Sequence, residues 1–108
     1  MIVRDRYPYL HVRLSVGTHV LEVWGFVDIG FDGYITVPTT LVVELGPEDY
    51  VGRWELADGS FVEAAEYVGR IELVGLETTI PARVTAMGQE SLIERGLIDR
   101  FQRTFDRG

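Results

Sequence analysis

Apolar and polar side chains alternate with a period of two residues through most of the chain, which predicts β-strands. The predicted strands cover residues 7–16, 19–27, 34–37, 53–57, 60–68, 70–74 and 76–86. Gly17-Thr18 stands between the first two strands, and Asp58-Gly59 stands between two later ones. An Asp-Gly pair between alternating runs is one of the strongest local signals for a β-hairpin. The pattern therefore predicts an all-β protein.

Two segments depart from this alternation. Residues 39–47 begin with Thr and end at Gly-Pro, which predicts one or two helical turns. Residues 91–101 favour a short helix, because helical spacing gathers their apolar residues on one face. These residues are Ile93, Leu97, Ile98 and Phe101. Residues 102–106 alternate again and are predicted as a closing strand, so the expected fold is a closed or partly closed β-barrel with one short helix near the carboxyl terminus.

Length and composition indicate one globular domain spanning residues 1–108. Apolar residues make up 46% of the chain and charged residues 25%, as in ordinary folded proteins. A chain of 108 residues can bury one core, which excludes a two-lobed architecture. No run of apolar residues is long enough for a bilayer span, and no secretory signal is visible. We therefore expect a cytoplasmic protein that is not bound to a membrane.

Charge and residue usage exclude several kinds of function. The formal net charge of −7 opposes binding to nucleic acid phosphates. The chain has no Cys, which rules out disulfides and thiolate metal sites, and its two His residues give little support to a zinc site. The acidic stretch near residue 30 lacks the bidentate Glu that ends a calcium loop. We expect no metal and no cofactor.

One acidic residue occupies a position that favours chemistry. Asp28 follows a β-branched strand, and Gly30 and Gly33 lie between it and the next strand. Glycines supply the backbone freedom that a tight turn needs, so Asp28 is expected at the end of a strand, on a turn. An Asp on a turn also commonly binds the backbone of its own loop, which is the structural alternative.

The residues around Asp28 resemble the active-site loop of the retropepsin-like aspartic proteases. Val27-Asp28-Ile29-Gly30 matches the family's apolar residue, Asp, Thr and Gly, with Ile29 in place of Thr. The turn Ala57-Asp58-Gly59-Ser60 stands where the family has its flap hairpin. Residues 92–98 are similar to the family's late motif of two apolar residues, Gly, Arg, Asp or Asn, and two Leu. Glu94 takes the place of the Gly in that motif, and Gly96 takes the place of Asp or Asn.

The resemblance implies a homodimer that cleaves extended polypeptide. Asp28 of each subunit would supply one carboxyl group of a catalytic pair that shares a proton. Residues 57–60 would form the flap over the substrate, and Tyr34, Trp54 and Phe61 are candidate walls of the substrate pockets. Peptide or protein would be the substrate.

Two departures from the motif support a second hypothesis, a catalytically inactive relative that binds peptide or ligand as a dimer. Ile29 has no hydroxyl group to reach the partner's loop, as the family's Thr does. Glu94 either turns to solvent or brings a further carboxylate toward the catalytic pair.

Overall fold

The computed structural model describes residues 2–4, 7–28, 30, 33–76 and 78–106. Within these ranges the chain forms eight strands, two α-helices and one 3₁₀ turn. The strands are β1 (Ile2–Arg4), β2 (Tyr7–Val16), β3 (His19–Asp28), β4 (Ile35–Val37), β5 (Tyr50–Glu55), β6 (Phe61–Leu73), β7 (Thr78–Ala86) and β8 (Leu92–Glu94). The helices are α1 (Val42–Leu45), which follows the 3₁₀ turn Thr39–Leu41, and α2 (Arg95–Asp106).

Six of the strands close into a barrel. Neighbouring strands follow the order β1-β2-β3-β8-β4-β7-β6-β5, and an additional pairing of β2 with β6 joins the sheet to itself. The closing ladder pairs Leu14 with Ile71 and Ser15 with Arg70. Closure leaves β1 and β5 outside the ring, each paired on one side.

The barrel interior is filled by side chains that alternate inward along the strands. Val12, Leu14 and Ile71 are fully buried where β2 meets β6. Tyr67 is also fully buried, and its hydroxyl group donates to the carbonyl oxygen of Gly46 at 2.9 Å, so its one polar atom is satisfied. Leu97 on α2 packs into the same cluster. The helix therefore covers the core instead of standing apart from it.

The strands before and after Asp28 are separated by β8. This three-residue strand runs parallel to β3 and antiparallel to β4. It directly precedes α2, so the helix begins one residue after Glu94, which is the ladder partner of Asp28.

The predicted all-β barrel with one short helix near the carboxyl terminus is confirmed, and so are the two hairpins and the helical turns after residue 38. The predicted strand over residues 102–106 is wrong, since α2 continues to Asp106. Four or five alternating residues are a weak strand signal, whereas extending an existing helix adds a hydrogen bond for each residue fixed. The predicted helix over residues 91–101 begins too early, because residues 92–94 form β8.

The sequence also divided β6 at Gly69, but the strand continues through it, with Gly69 opposite Ala82 in the β6–β7 ladder. The glycine is required for close approach. A Cβ atom at position 69 would lie 2.6 Å from the backbone oxygen of Ser15, at the seam where β2 closes the barrel.

Gly69→Ala should therefore destabilise the fold, by about 1–3 kcal/mol in the free energy of unfolding, because the added methyl group pushes the two closing strands apart. Urea denaturation measures this quantity. The neighbouring Val68→Ala variant is the control, since the Val68 side chain is 64% exposed and its truncation should change stability by less than about 0.5 kcal/mol. Equal effects at both positions would contradict the close packing at this seam.

Candidate active site

Asp28 is the last residue of β3, and its carboxylate binds the loop that follows. The backbone N–H of Gly30 donates to Asp28 Oδ1 at 3.0 Å. Asp28 is half-buried. Within the described part of the chain this is the hydrogen bond that the carboxylate makes. Ile29, where the sequence departs from the family's Thr, lies outside the described residues.

The position of Asp28 is fixed by β8. The parallel ladder pairs Val27 with Ile93 and Asp28 with Glu94. Residues paired directly in a ladder project to the same face of the sheet, so Ile93 and Val27 face the core while Glu94 and Asp28 share the opposite face. The candidate catalytic group thus has a second carboxyl group beside it from the same chain.

Backbone hydrogen bonds tie β8 to the far side of the Asp28 loop as well. The N–H of Glu94 donates to the carbonyl oxygen of Tyr34 at 2.9 Å, and the N–H of Gly96 donates to that of Gly33 at 2.9 Å. The described residues on both sides of the loop are therefore held by one short segment, residues 92–96.

The Glu94 side chain is buried on the face that it shares with Asp28. Its residue is only 7% exposed, and the hydroxyl group of Thr36 donates to Glu94 Oε2 at 3.3 Å. The other oxygen, Oε1, packs against Gly33, where a Cβ atom would overlap it. Gly33 thus allows the close approach of the Glu94 carboxyl group. Of the two orientations considered from the sequence, the structure has the one that brings a carboxyl group toward Asp28.

Burial raises the pKa of Glu94 above its ordinary value of 4.5. The hydrogen bond from Thr36 lowers it, because that bond stabilises the ionised form, and the nearby charge of Asp28 raises it again. The net effect favours the protonated carboxyl group, which avoids placing two adjacent negative charges in a partly dehydrated site.

The β5–β6 hairpin ends in the loop of residues 56–60, which includes the predicted flap residues Ala57, Asp58, Gly59 and Ser60. Asp58 Oδ1 accepts hydrogen bonds from the backbone N–H of Ser60 at 2.9 Å and from its hydroxyl group at 2.6 Å. These bonds lower the pKa of Asp58. Gly59 has a φ of 87°, which only glycine adopts without strain. The tip is therefore a well-bonded turn on the end of an exposed hairpin.

A cavity of about 530 Å³ opens beside the Asp28 loop, between β5 and β7. Its wall is formed by Gly33, Tyr34, Tyr50, Trp54, Val68, Pro81, Ala82, Arg83 and Thr85. Two of the three predicted pocket residues, Tyr34 and Trp54, thus come together. Phe61 lies elsewhere, 54% exposed beneath the guanidinium group of Arg53, which is 4.2 Å from the ring centroid.

The Trp54 indole N–H is buried and has no hydrogen-bond acceptor within the described residues, although it lies near the cavity. A buried donor without an acceptor costs free energy. In the part of the chain that the structure describes, no three acidic or His side chains are grouped so as to hold a metal ion.

Comparisons with known proteins bear on the whole arrangement. No family model matches the sequence, and no curated protein matches it. Among solved structures, the chain is similar to a retropepsin-like aspartic protease from Rickettsia conorii, with 21% identity and a TM-score of 0.60 over 92% of this chain and 82% of that one. The chain has the retropepsin-like fold.

A second similar structure is the retroviral protease-like domain of Ddi1 from Leishmania major, with 16% identity and a TM-score of 0.49 over 87% of this chain and 78% of that one. The retropepsin-like resemblance inferred from the sequence is confirmed at the level of the fold. Within this fold, the residues at the candidate site decide what chemistry is possible.

Sequence reasoning missed Thr36 and the packing role of Gly33. A signal for Thr36 was present, because it is a polar residue between Ile35 and Val37, and all three residues of β4 are buried. A buried hydroxyl group needs a partner, and here the partner is Glu94. Nothing in the local pattern linked residues 33 and 36 to residue 94, since that contact depends on the position of β8.

The raised pKa of Glu94 predicts a pH-dependent stability. Below about pH 4.5 both states hold the proton; above it, the unfolded chain releases the proton first, which favours unfolding. The stability of the wild type should therefore fall relative to that of Glu94→Gln as pH rises from the ordinary value through the raised one. Urea denaturation across this range measures the difference.

The Glu63→Gln variant is the baseline for this experiment, because it removes one negative charge from an exposed strand position. After subtraction of that baseline, a Glu94→Gln difference that stays constant with pH would contradict a buried, protonated Glu94.

Proposed function

We propose that the protein is an aspartic endopeptidase that acts as a homodimer, with Asp28 of each subunit forming the catalytic pair. The observation that carries this proposal is the position of Asp28 at the end of β3, on a loop anchored at both ends by β8, within a retropepsin-like fold. One chain supplies one such loop, so a second copy is required to bring two Asp28 carboxyl groups together across a twofold axis.

The pair would work by sharing a proton. The ionised carboxylate takes a proton from water, and the resulting hydroxide attacks the carbonyl carbon of the peptide bond. The protonated carboxyl group gives its proton to the carbonyl oxygen, which yields a tetrahedral diol. Transfer of a proton to the amide nitrogen then breaks the C–N bond and releases an acid and an amine. Proximity of two carboxyl groups is needed throughout, because each one has to play both roles.

The substrate would bind as an extended strand. The β5–β6 hairpin would close over it as a flap and exclude water, with residues 57–60 at its tip. The cavity beside Gly33 and Tyr34 would receive a side chain of the substrate, and the aromatic rings of Tyr50 and Trp54 support an apolar or aromatic one. Backbone hydrogen bonds would supply affinity and the cavity would supply selectivity.

A second candidate function is binding of peptide without cleavage. The observation in its favour is Glu94, whose carboxyl group is buried beside Asp28 and raises the electrostatic cost of ionising the site. The dimer and the peptide-binding cavity would be retained in that case. The two candidates differ in one measurable respect, since only the endopeptidase hydrolyses the peptides that it binds.

The proposed function does not by itself determine where in the cell the protein is found. In the part of the chain that the structure describes, neither helix is long and apolar enough to cross a membrane. The cytoplasmic location expected from the sequence stays a prediction.

Asp28→Asn should abolish cleavage. An amide cannot take the proton from water, so the rate on a mixed peptide library at acidic pH should fall by a factor of about 10²–10⁴ or more. A pepstatin-type inhibitor should block the wild type. The Asp49→Asn variant is the matched control, because Asp49 is an exposed carboxylate that binds the Val68 backbone N–H and lies outside the proposed site. No cleavage by the wild type between about pH 3 and pH 7 would favour the binding function.

Mixing experiments should show that two chains supply one site. When wild type and Asp28→Asn are unfolded together in equal amounts and refolded, only dimers with two wild-type chains are expected to be active. Activity per wild-type chain should therefore fall to about one half of its unmixed value. Sedimentation would verify the dimer. Unchanged activity per wild-type chain would contradict a site shared between subunits.

A further inference from the structure

We propose that Glu94 is a positioning residue whose carboxylate charge keeps the shared proton on the Asp28 pair as pH rises, so that cleavage extends toward neutral pH. This inference rests on the proposed endopeptidase function and adds a group from the same chain to it. Glu94 does not touch the substrate in this scheme; it acts through Asp28.

Geometry carries the first step of the argument. Glu94 and Asp28 are direct partners in the parallel β3–β8 ladder, so their side chains project to one face from strands that lie about 5 Å apart. Glu94 cannot turn away to solvent without losing its contacts, because one of its oxygens is bonded by Thr36 and the other is packed on Gly33. The Glu94 carboxyl group is thus held at a fixed place beside that of Asp28.

The groups around Glu94 determine whether it favours or opposes the loss of a proton from the Asp28 pair. Asp28 on β3 is the charged group whose field contributes to the raised pKa of Glu94. Helix α2 begins at Arg95, the residue after Glu94, and carries Asp99 and Arg100; Arg100 donates to the Tyr34 hydroxyl group at 3.0 Å. From β4 the neighbour is the uncharged hydroxyl group of Thr36. Asp28 and Glu94 repel each other when both are ionised.

Repulsion of this kind affects only one of the two limits of the pH profile. At acidic pH Glu94 is protonated and neutral, so it leaves the first ionisation of the catalytic pair unchanged. As pH rises, Glu94 ionises, and its negative charge opposes the loss of the remaining proton from the pair. Activity needs that proton, so the alkaline limit of the pH profile moves upward while the acidic limit stays in place.

The test compares pH profiles of kcat/KM for the wild type and Glu94→Gln. The neutral amide removes the charge but keeps an acceptor for Thr36, so the alkaline limit should move down by about one pH unit and the acidic limit should not move. Thr36→Val is a second variant that retains Glu94. Without the hydroxyl group Glu94 ionises at higher pH, so the alkaline limit should move in the same direction by less.

Glu66→Gln is a matched control. Glu66 is a second buried carboxylate, only 3% exposed, and it accepts a hydrogen bond from the hydroxyl group of Thr85 at 3.3 Å, as Glu94 does from Thr36. Its charged neighbour is Arg83, at 3.7 Å, instead of Asp28. Loss of a buried carboxylate as such would move the profile in both variants, whereas the proposed coupling moves it only in Glu94→Gln.

A second readout needs no cleavage. The titration of the Glu94 carboxyl group, followed by carbon NMR, should shift to lower pH in Asp28→Asn, because coupling between two groups is reciprocal. Superimposed activity profiles for wild type and Glu94→Gln, or an unshifted Glu94 titration, would overturn this inference and leave the endopeptidase intact. A wild type that cleaves nothing at any pH would overturn the proposed function itself, and with it the catalytic effect of Glu94.

Discussion

The site depends on one structural constraint, the insertion of a three-residue strand between the two strands that flank Asp28. β8 hydrogen-bonds to β3 on one side and to β4 on the other, and the N–H groups of Glu94 and Gly96 donate to the carbonyl oxygens of Tyr34 and Gly33. The fully buried Ile93 anchors this strand in the core. Because α2 starts at the next residue, the same segment joins barrel, loop and helix. A carboxylate on such a loop is held in place before anything binds to it.

The same strand buries a second carboxyl group, that of Glu94, beside Asp28. A buried carboxylate without a cation costs several kcal/mol in free energy, and proteins usually avoid this cost by keeping the group protonated. Glu94 follows this rule, with a raised pKa and one hydrogen bond from Thr36. Gly33 lies on the other side, and a side chain there would displace Glu94 Oε1. Residues 33, 36 and 94 therefore form one packing unit, and a change at one affects the other two.

The fold and the chemistry are separate matters in this protein. The barrel, the β5–β6 hairpin and the helix are those of a retropepsin-like domain, yet a fold can be retained after activity is lost. The cavity beside Tyr34 and Trp54 would suit either function, because peptide could bind there with or without being cleaved. The two proposed functions differ in whether peptide is hydrolysed, and the buried Glu94 carboxyl group beside Asp28 would influence that chemistry.

The sequence by itself determined most of the long strands, both hairpins and the position of Asp28 two residues before a glycine, because these follow from alternation and turn residues over short stretches. It could not determine that residues 92–94 form a strand, since three residues are too few to show a period and their apolar spacing also fits a helix. Nor could it show that Gly33 and Thr36 enclose Glu94. Those contacts join residues about sixty positions apart, and only the closed barrel brings them together.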